Sequence, residues 1–432
     1  MSGIISDVTN APSVSLMMGK TFLAVSYVLL STGLLAAQPT IGTEVVSDVL
    51  ENRNELLSVT GPAVAMARDR QGLAMAWTMR HGGTNRIYVA RLAEDGRISG
   101  PIIEIPGALT EASDAYLPSV AASPTGSGFL LAWLEASVAP NGGWTRVVYS
   151  VLDGELRPSS PKVLTLVQLT SGAPVIARSG KAAWVAAGGV VWQILPDGSA
   201  ARPIDAGLPA ADMTGVGDFP KLVAGARVSK SWTCSDAPGC RVHSPLYLCY
   251  ESCRIYQYAY ELHYVALYTA SGKVTFPFDS DAQPAVQSDG VDTLIVWFDG
   301  SQSRGGVLLA ARLRSPSLAD FENAMARPFV LGNFGPDGGP LRPEIATDGE
   351  RYLVVWRTTT PGGDHDIVGA SVDRAGKVTD LSIASSSANE KDPSVISLSR
   401  GTFLVAYEKV SNGQRRIAGR VITFGNRRRT VH

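Results

Sequence analysis

No catalytic signature punctuates this 432-residue chain. It has no G-x-S-x-G elbow, no H-E-x-x-H pair, no Walker A loop, no dinucleotide fingerprint and no sialidase-type Asp-box. These absences remove the local marks of a serine hydrolase, a zinc protease, a nucleotide phosphohydrolase and a dehydrogenase, and no cofactor is expected. The five histidines show no ligand spacing, so no metal site is expected either. Net charge is nearly absent: 38 basic residues meet 39 acidic ones, a formal −1. That excludes a global electrostatic case for nucleic acid or an anionic membrane. Long amphipathic helical patterns are missing beyond residue 60, which argues against a helical solenoid.

What the chain does contain is a phrase repeated seven times. Each copy opens on a proline and an apolar pair: Pro62, Pro118, Pro174, Pro220, Pro284, Pro343 and Pro393. A second apolar run follows and ends in an aromatic: Trp77, Trp133, Trp184, Tyr250, Trp297, Trp356 and Tyr407. Successive aromatics lie 47 to 66 residues apart. A period near 50 is the mark of a propeller or an array.

One copy shows what each encodes. From Pro343 a short strand leads to the turn Thr347-Asp348-Gly349. The run Tyr352-Leu353-Val354-Val355-Trp356 is apolar throughout, as a strand buried on both faces must be. Residues 367–373 make a third strand and 378–384 a fourth. Four antiparallel strands per repeat is a propeller blade. The third-to-fourth turns carry Asp95-Gly96, Asp153-Gly154 and Asp197-Gly198, which suits a two-residue hairpin needing positive φ. The seventh copy ends early, after 417–423. The β-rich segment 43–49, ahead of the first copy, is expected to supply its missing strand. The expected fold is thus an all-β, seven-bladed β-propeller over residues 38–424, closed by an N-terminal strand.

The sixth copy also carries a resemblance. Its Trp-terminated run, followed by Asp366-Ile367-Val368-Gly369-Ala370-Ser371-Val372-Asp373, resembles the repeat of large secreted bacterial propeller-like proteins. There a "D-I-x-G-x-x-V-D" strand and a glycine turn follow the tryptophan. The resemblance implies the fold and export, and it transfers no catalytic residue.

Compartment follows from the N-terminus. Lys20 precedes an apolar stretch at 22–37, shorter than the roughly 20 residues a spanning helix needs. It reads as a secretory signal peptide ending near Ala37, with translation starting at Met17 or Met18 as an option. The alternative is a retained N-terminal anchor. Residues 425–432, with Arg427-Arg428-Arg429, read as a solvated basic tail. A secreted or periplasmic location is expected, with no stable membrane insertion after cleavage. All four cysteines, Cys234, Cys240, Cys249 and Cys253, fall in the fourth copy. An even, clustered set in an exported chain favours disulfides, and the C-x2-C spacing of zinc sites is absent. Placing Cys234 and Cys240 before the second strand and Cys253 just past it favours pairing Cys234–Cys240 and Cys249–Cys253, with Cys249 reaching back to the insertion as the alternative.

In a blade, the connections after strands two and four open on one face, and here they are the longer ones. Function concentrates on such loops. Polar residues near the second-strand ends are therefore the candidates: Arg80, His81, Glu135, Asp299, Arg357, Asp364, His365, Asp366 and Glu408. Asp364-His365-Asp366 has the oxygens to hold a cation, though D-x-D more commonly caps a turn. Glu135 with Glu408 or Asp299 has the chemistry of paired carboxylates for glycoside cleavage. The strand tryptophans read as packing between blades. Trp144, beside Asn141-Gly142-Gly143, reads as an exposed ring able to stack on a ligand. The function expected is non-catalytic binding of an extracellular protein or glycan by a monomer. The alternative is an extracellular hydrolase or lyase acting on polysaccharide.

Overall fold

The computed structural model describes residues 38–50 and 64–425, apart from connecting stretches of up to seven residues and the longer stretch 228–261. The expected signal segment, the basic tail and all four cysteines lie outside the described residues. Within them, the chain forms seven antiparallel sheets in sequence order, six of four strands and one of five.

The first sheet holds Val64–Arg68, Leu73–His81, Thr84–Leu92 and Ile103–Ile105. The second holds Asp114–Ala122, Phe129–Ser137, Trp144–Leu152 and Lys162–Val167. The third is built from Val175–Ser179, Ala182–Ala187, Val190–Ile194 and Ile204–Asp205. The fourth takes Ala210–Val216, Phe219–Arg227, Leu262–Thr269 and Gly272–Phe278. The fifth comprises Ala285–Ser288, Thr293–Ser301, Gly305–Leu313 and Phe329–Phe334. The sixth consists of Glu344–Thr347, Arg351–Thr359, His365–Asp373 and Val378–Ala384, matching the strands read from the Pro343 copy. The seventh contributes Asn389–Ser399, Thr402–Ser411 and Gln414–Thr423.

That last sheet is completed from the other end of the chain. Val45–Leu50 pairs with Gln414–Thr423, Val45 opposite Gly419, and Thr40–Ile41 pairs further along, Thr40 opposite Thr423. Side chains fix the splice. Glu44 accepts hydrogen bonds from Lys409 Nζ at 2.6 Å and from the Tyr407 hydroxyl.

Apolar residues pack between sheets that follow one another. Trp133 and Phe129 of the second sheet share a cluster with Ile87 of the first. Trp356 of the sixth joins Leu308 and Leu331 of the fifth. The approach is close enough that a Cβ on Gly332 would stand 2.6 Å from the Trp356 ring. Between the fourth and fifth sheets, backbone amides of Val286 and Ser288 donate to Asp212 and Thr214. Leu398, Leu404 and Ala406 of the seventh sheet cluster with Met75, Trp77 and Leu92 of the first. Double-sided burial explains why second strands are apolar without alternation.

Two expectations need correction, and one short element went unannounced in the sequence. In the fourth copy, Pro220 lies on the second strand, because Phe219–Arg227 pairs with Ala210–Val216 on one side and Leu262–Thr269 on the other. The true first strand has no proline and reads Ala-Ala-Asp-Met-Thr-Gly-Val, with little β-propensity to announce it. The whole stretch 228–261 therefore connects the second and third strands. The third-to-fourth turns at Asp95-Gly96, Asp153-Gly154 and Asp197-Gly198 are three-residue loops, not two-residue hairpins. Ala93 N–H donates to Arg97 O at 2.8 Å, with Gly96 at φ 89°. In the second sheet the corresponding loop puts Leu156, not Gly154, at positive φ (64°). Lastly, an eight-residue helix, α1 (Leu318–Met325), interrupts the third-to-fourth connection of the fifth sheet. Too short to show a helical period, it packs Phe321 and Met325 onto Trp297 and Ile295. Among the described residues no helix is long and apolar enough to cross a membrane.

Candidate functional site

The first strands of the seven sheets share one cavity of about 390 Å³. Each sheet contributes to its wall: Met66, Ser119, Val175, Met213, Gln287, Ala346 and Ser394, in sheet order. A strand that opens each repeat is therefore also the strand that faces the common space. Most of this wall is apolar or neutral, and one charged group stands out from it.

Arg342, just before the first strand of the sixth sheet, points its Nη2 to Asp212 Oδ1 at 2.8 Å. Its Nε lies 3.3 Å from Glu344 Oε1. Asp212 is anchored further, since Val286 N–H donates to its Oδ2 and Met213 N–H to its Oδ1, both at 2.8 Å. Among the described residues, Glu344 has no such set of donors. Burial pushes its pKa up to about 7, against the pull of Arg342 and with a push from Asp212. Burial also works against the Arg342 charge, yet the two carboxylates hold its pKa above the ordinary value. Arg342 and Glu344 sit at the start of a first strand and Asp212 is the third residue of another. The trio thus lies toward the end of the cavity where fourth-to-first connections arrive, the end singled out by the sequence.

The sequence candidates fare unevenly. Glu135 is fully buried and committed. Arg146 donates to its Oε2 at 2.5 and 3.1 Å, while Trp133 Nε1–H and Ala108 N–H donate to its Oε1. Glu408 faces Arg415 at 3.4 Å, and burial raises its pKa. Glu135 and Glu408 thus pair with different arginines, and Asp299 stands exposed on the fifth sheet. Arg80 is half-buried opposite Asn85. The side chains of His81 and Trp144 lie outside the described residues, although their backbones close and open strands. His365 Nδ1 is 3.1 Å from Thr359 Oγ1, and its backbone N–H donates to Asn389. Burial, then Arg357 and Lys391, lower the His365 pKa. Burial and Asp364 raise that of Asp366. Among the described residues no group of histidine, cysteine and carboxylate side chains is placed to hold a metal, Asp364-His365-Asp366 included.

Arg357 does meet a partner the sequence did not flag. Asp392 opposes its charge from the seventh sheet, and burial raises the Asp392 pKa despite Arg357, Lys391 and Arg415 nearby. Asp392 sits at φ 50° directly before Pro393, inside a register shift. Leu117, directly before Pro118, does the same at φ 55°. A half-buried carboxylate thus occupies a strained position that another repeat fills with leucine.

The signal for the missed residues was present. Across the copies the residue before the proline is Gly61, Leu117, Ala173, Phe219 or Gln283, but Arg342 and Asp392 in the last two. The residue after it is Ala63, Ser119, Val175, Ala285 or Ser394, but Lys221 in the fourth copy and Glu344 in the sixth. Leaving aside the fourth copy, whose proline lies on its second strand, charge beside the proline marks the sixth and seventh.

No family model and no curated protein sequence matches the chain. Solved structures resemble it at low identity. A protein of unknown function from Dyadobacter fermentans aligns at 13% identity and a TM-score of 0.44, covering 90% of this chain and 99% of that one. The β-propeller domain of the Trilobed protease from Pyrococcus furiosus aligns at 10% and 0.41, covering 86% and 97%. The NanB sialidase of Streptococcus pneumoniae aligns at 9% and 0.42, covering 87% and 71%. At such identities and scores, none of them carries an assignment of activity.

Proposed function

We propose that the seven sheets are blades of one closed seven-bladed propeller, exported from the cell, which binds a glycan or other macromolecule at the axial cavity without transforming it. The observation that carries this reading is the cavity itself, walled by the first strand of every sheet and holding Arg342 between Asp212 and Glu344. A concave pocket with a few convergent polar groups is where ligands bind. The packing of the seventh sheet on the first, and the N-terminal strands completing the seventh, support closure. The signal-like N-terminus and the resemblance to secreted repeat proteins support export. No nucleic-acid partner enters the proposal, and the protein acts as a monomer.

One observation favours the alternative, a polysaccharide hydrolase or lyase on the same face. A carboxyl group held near pKa 7 suits a general acid. A single experiment separates the two readings. Purified residues 38–432 are screened against glycans and cell-surface fractions, and bound glycans are then incubated with the protein and checked for new chain ends. Retention without cleavage supports the binder. Cleavage abolished by Glu344→Gln replaces it with the enzyme. No retention of any fraction sinks both.

A further inference from the structure

We propose that the axial site recognises an ammonium group, carried by a glycan with free amino sugars, and that Glu344 is its counter-ion. This rests on the binding role of the cavity and narrows its ligand.

The argument is one of charge and hydrogen-bond accounting. The charged side chains described on the cavity wall are Arg68, Asp212, Arg342 and Glu344. Arg68 is already engaged, donating to Leu398 O and, at 3.1 Å, to Glu94. Asp212 takes two backbone donors and the Arg342 guanidinium, so its charge is matched. Among the described residues, Glu344 has one polar partner, the same guanidinium, and that at 3.3 Å. One cation therefore serves two carboxylates, and the less engaged of the two is Glu344.

An ionised carboxylate in a poorly hydrated space is costly unless paired. A ligand cation supplies the missing partner. An anionic sugar would add a second unmatched negative charge, and a neutral one would leave the first unmatched. A compact ammonium carries three donors on one nitrogen, able to bond Glu344 and neighbouring oxygens together. Ser119, Gln287, Thr347 and Ser394 add neutral hydroxyl and amide groups to the same wall, which suits the hydroxyls of a sugar. At about 390 Å³ the cavity lies at the small end of ligand pockets, enough for a chain end and not for a folded peptide.

Calorimetry at pH 7 with residues 38–432 tests the assignment. The probes are a glucosamine trimer with free amines, its fully N-acetylated counterpart and a trilysine peptide. The free-amine trimer should bind at least tenfold more tightly than the acetylated one. Glu344→Gln should weaken it at least tenfold, and Glu344→Asp should retain part of the affinity. Asp380→Asn, which removes one negative charge from the exposed outer strand of the sixth sheet, should change nothing. Equal or tighter binding of the acetylated trimer overturns the ammonium assignment while leaving glycan binding intact. Insensitivity to Glu344→Gln overturns it too. Trilysine bound with no glucosamine binding overturns the glycan. Failure of every glycan in the wider screen removes the binding role itself.

Discussion

Glu344 is a residue that weakens the fold it belongs to. Its folded pKa of about 7 lies above the ordinary carboxylate value, so between roughly pH 4.5 and 7 the folded state binds more protons than the unfolded chain. Stability must therefore fall as pH rises through that window, and the full penalty stands above it. From the size of the shift, the penalty is at most on the order of 3 kcal/mol. Glu344→Gln should raise the denaturant midpoint at pH 8 and leave it nearly unchanged at pH 4. Parallel stability curves for the two proteins across that range would refute the assignment. A group kept at such a cost in a cavity is a mark of function. The aromatics are the opposite case. Trp133, Trp297 and Trp356 are at most 3% exposed, each in a second strand, as the apolar runs imply. Replacing any one with Ala should cost about 3–5 kcal/mol in chemical denaturation. A folded variant with undiminished stability and lost binding would move that side chain into the site. Packing residues were legible because burial is written as apolar runs. Glu344 was less so because one charged residue beside a proline breaks no pattern within its own copy.

At the scale of the element, legibility depended on whether a strand is apolar on its own account. The second, third and fourth strands of the sixth sheet carry their burial in sequence. The first strand of the fourth sheet does not, because it is held by what surrounds it: Asp212 and Thr214 receive amides from the fifth sheet. The N-terminal pairing strands are readable only as a surplus matched to a deficit. Their side-chain anchor gives them a pH dependence of known sign. Burial would raise the Glu44 pKa, but hydrogen bonds from Lys409 and Tyr407, with the charges of Lys409 and Arg420, hold it below the ordinary value. The stabilisation it contributes is therefore complete at neutral pH and is lost as pH falls through that lowered value. Removing residues 38–50 exposes the edge of Gln414–Thr423 and deletes this anchor. The melting temperature should drop sharply at pH 7, and Glu44→Gln should reproduce a small part of the drop. An unchanged melting temperature in the deletion would show that the seventh sheet needs no strand from the N-terminus.

For the whole molecule, the repeat makes the sheets near-equivalent, so departures from the repeat are where the molecule differs from its own average. One departure is the trio Asp212, Arg342 and Glu344 on the cavity wall. Another is the stretch 228–261, inserted between the second and third strands of the fourth sheet and carrying every cysteine. Its placement removes the reason for pairing Cys234 with Cys240 and Cys249 with Cys253. That reasoning set a second strand ending at Tyr250 between the pairs, whereas the second strand is Phe219–Arg227. Two disulfides within the insertion remain the proposal, on the even count and the signal-like N-terminus. Such bridges close small loops in a sheet already held by its neighbours, so each should contribute toward the low end of about 2–4 kcal/mol. Reduction should then raise hydrogen exchange in the fourth sheet and leave protection elsewhere unchanged, because no other sheet contains a cysteine. Mass spectrometry of the non-reduced exported protein should find no free thiol, and the bridged peptides would give the connectivity. Four free thiols, or one zinc released per chain on acidification, would overturn the disulfides.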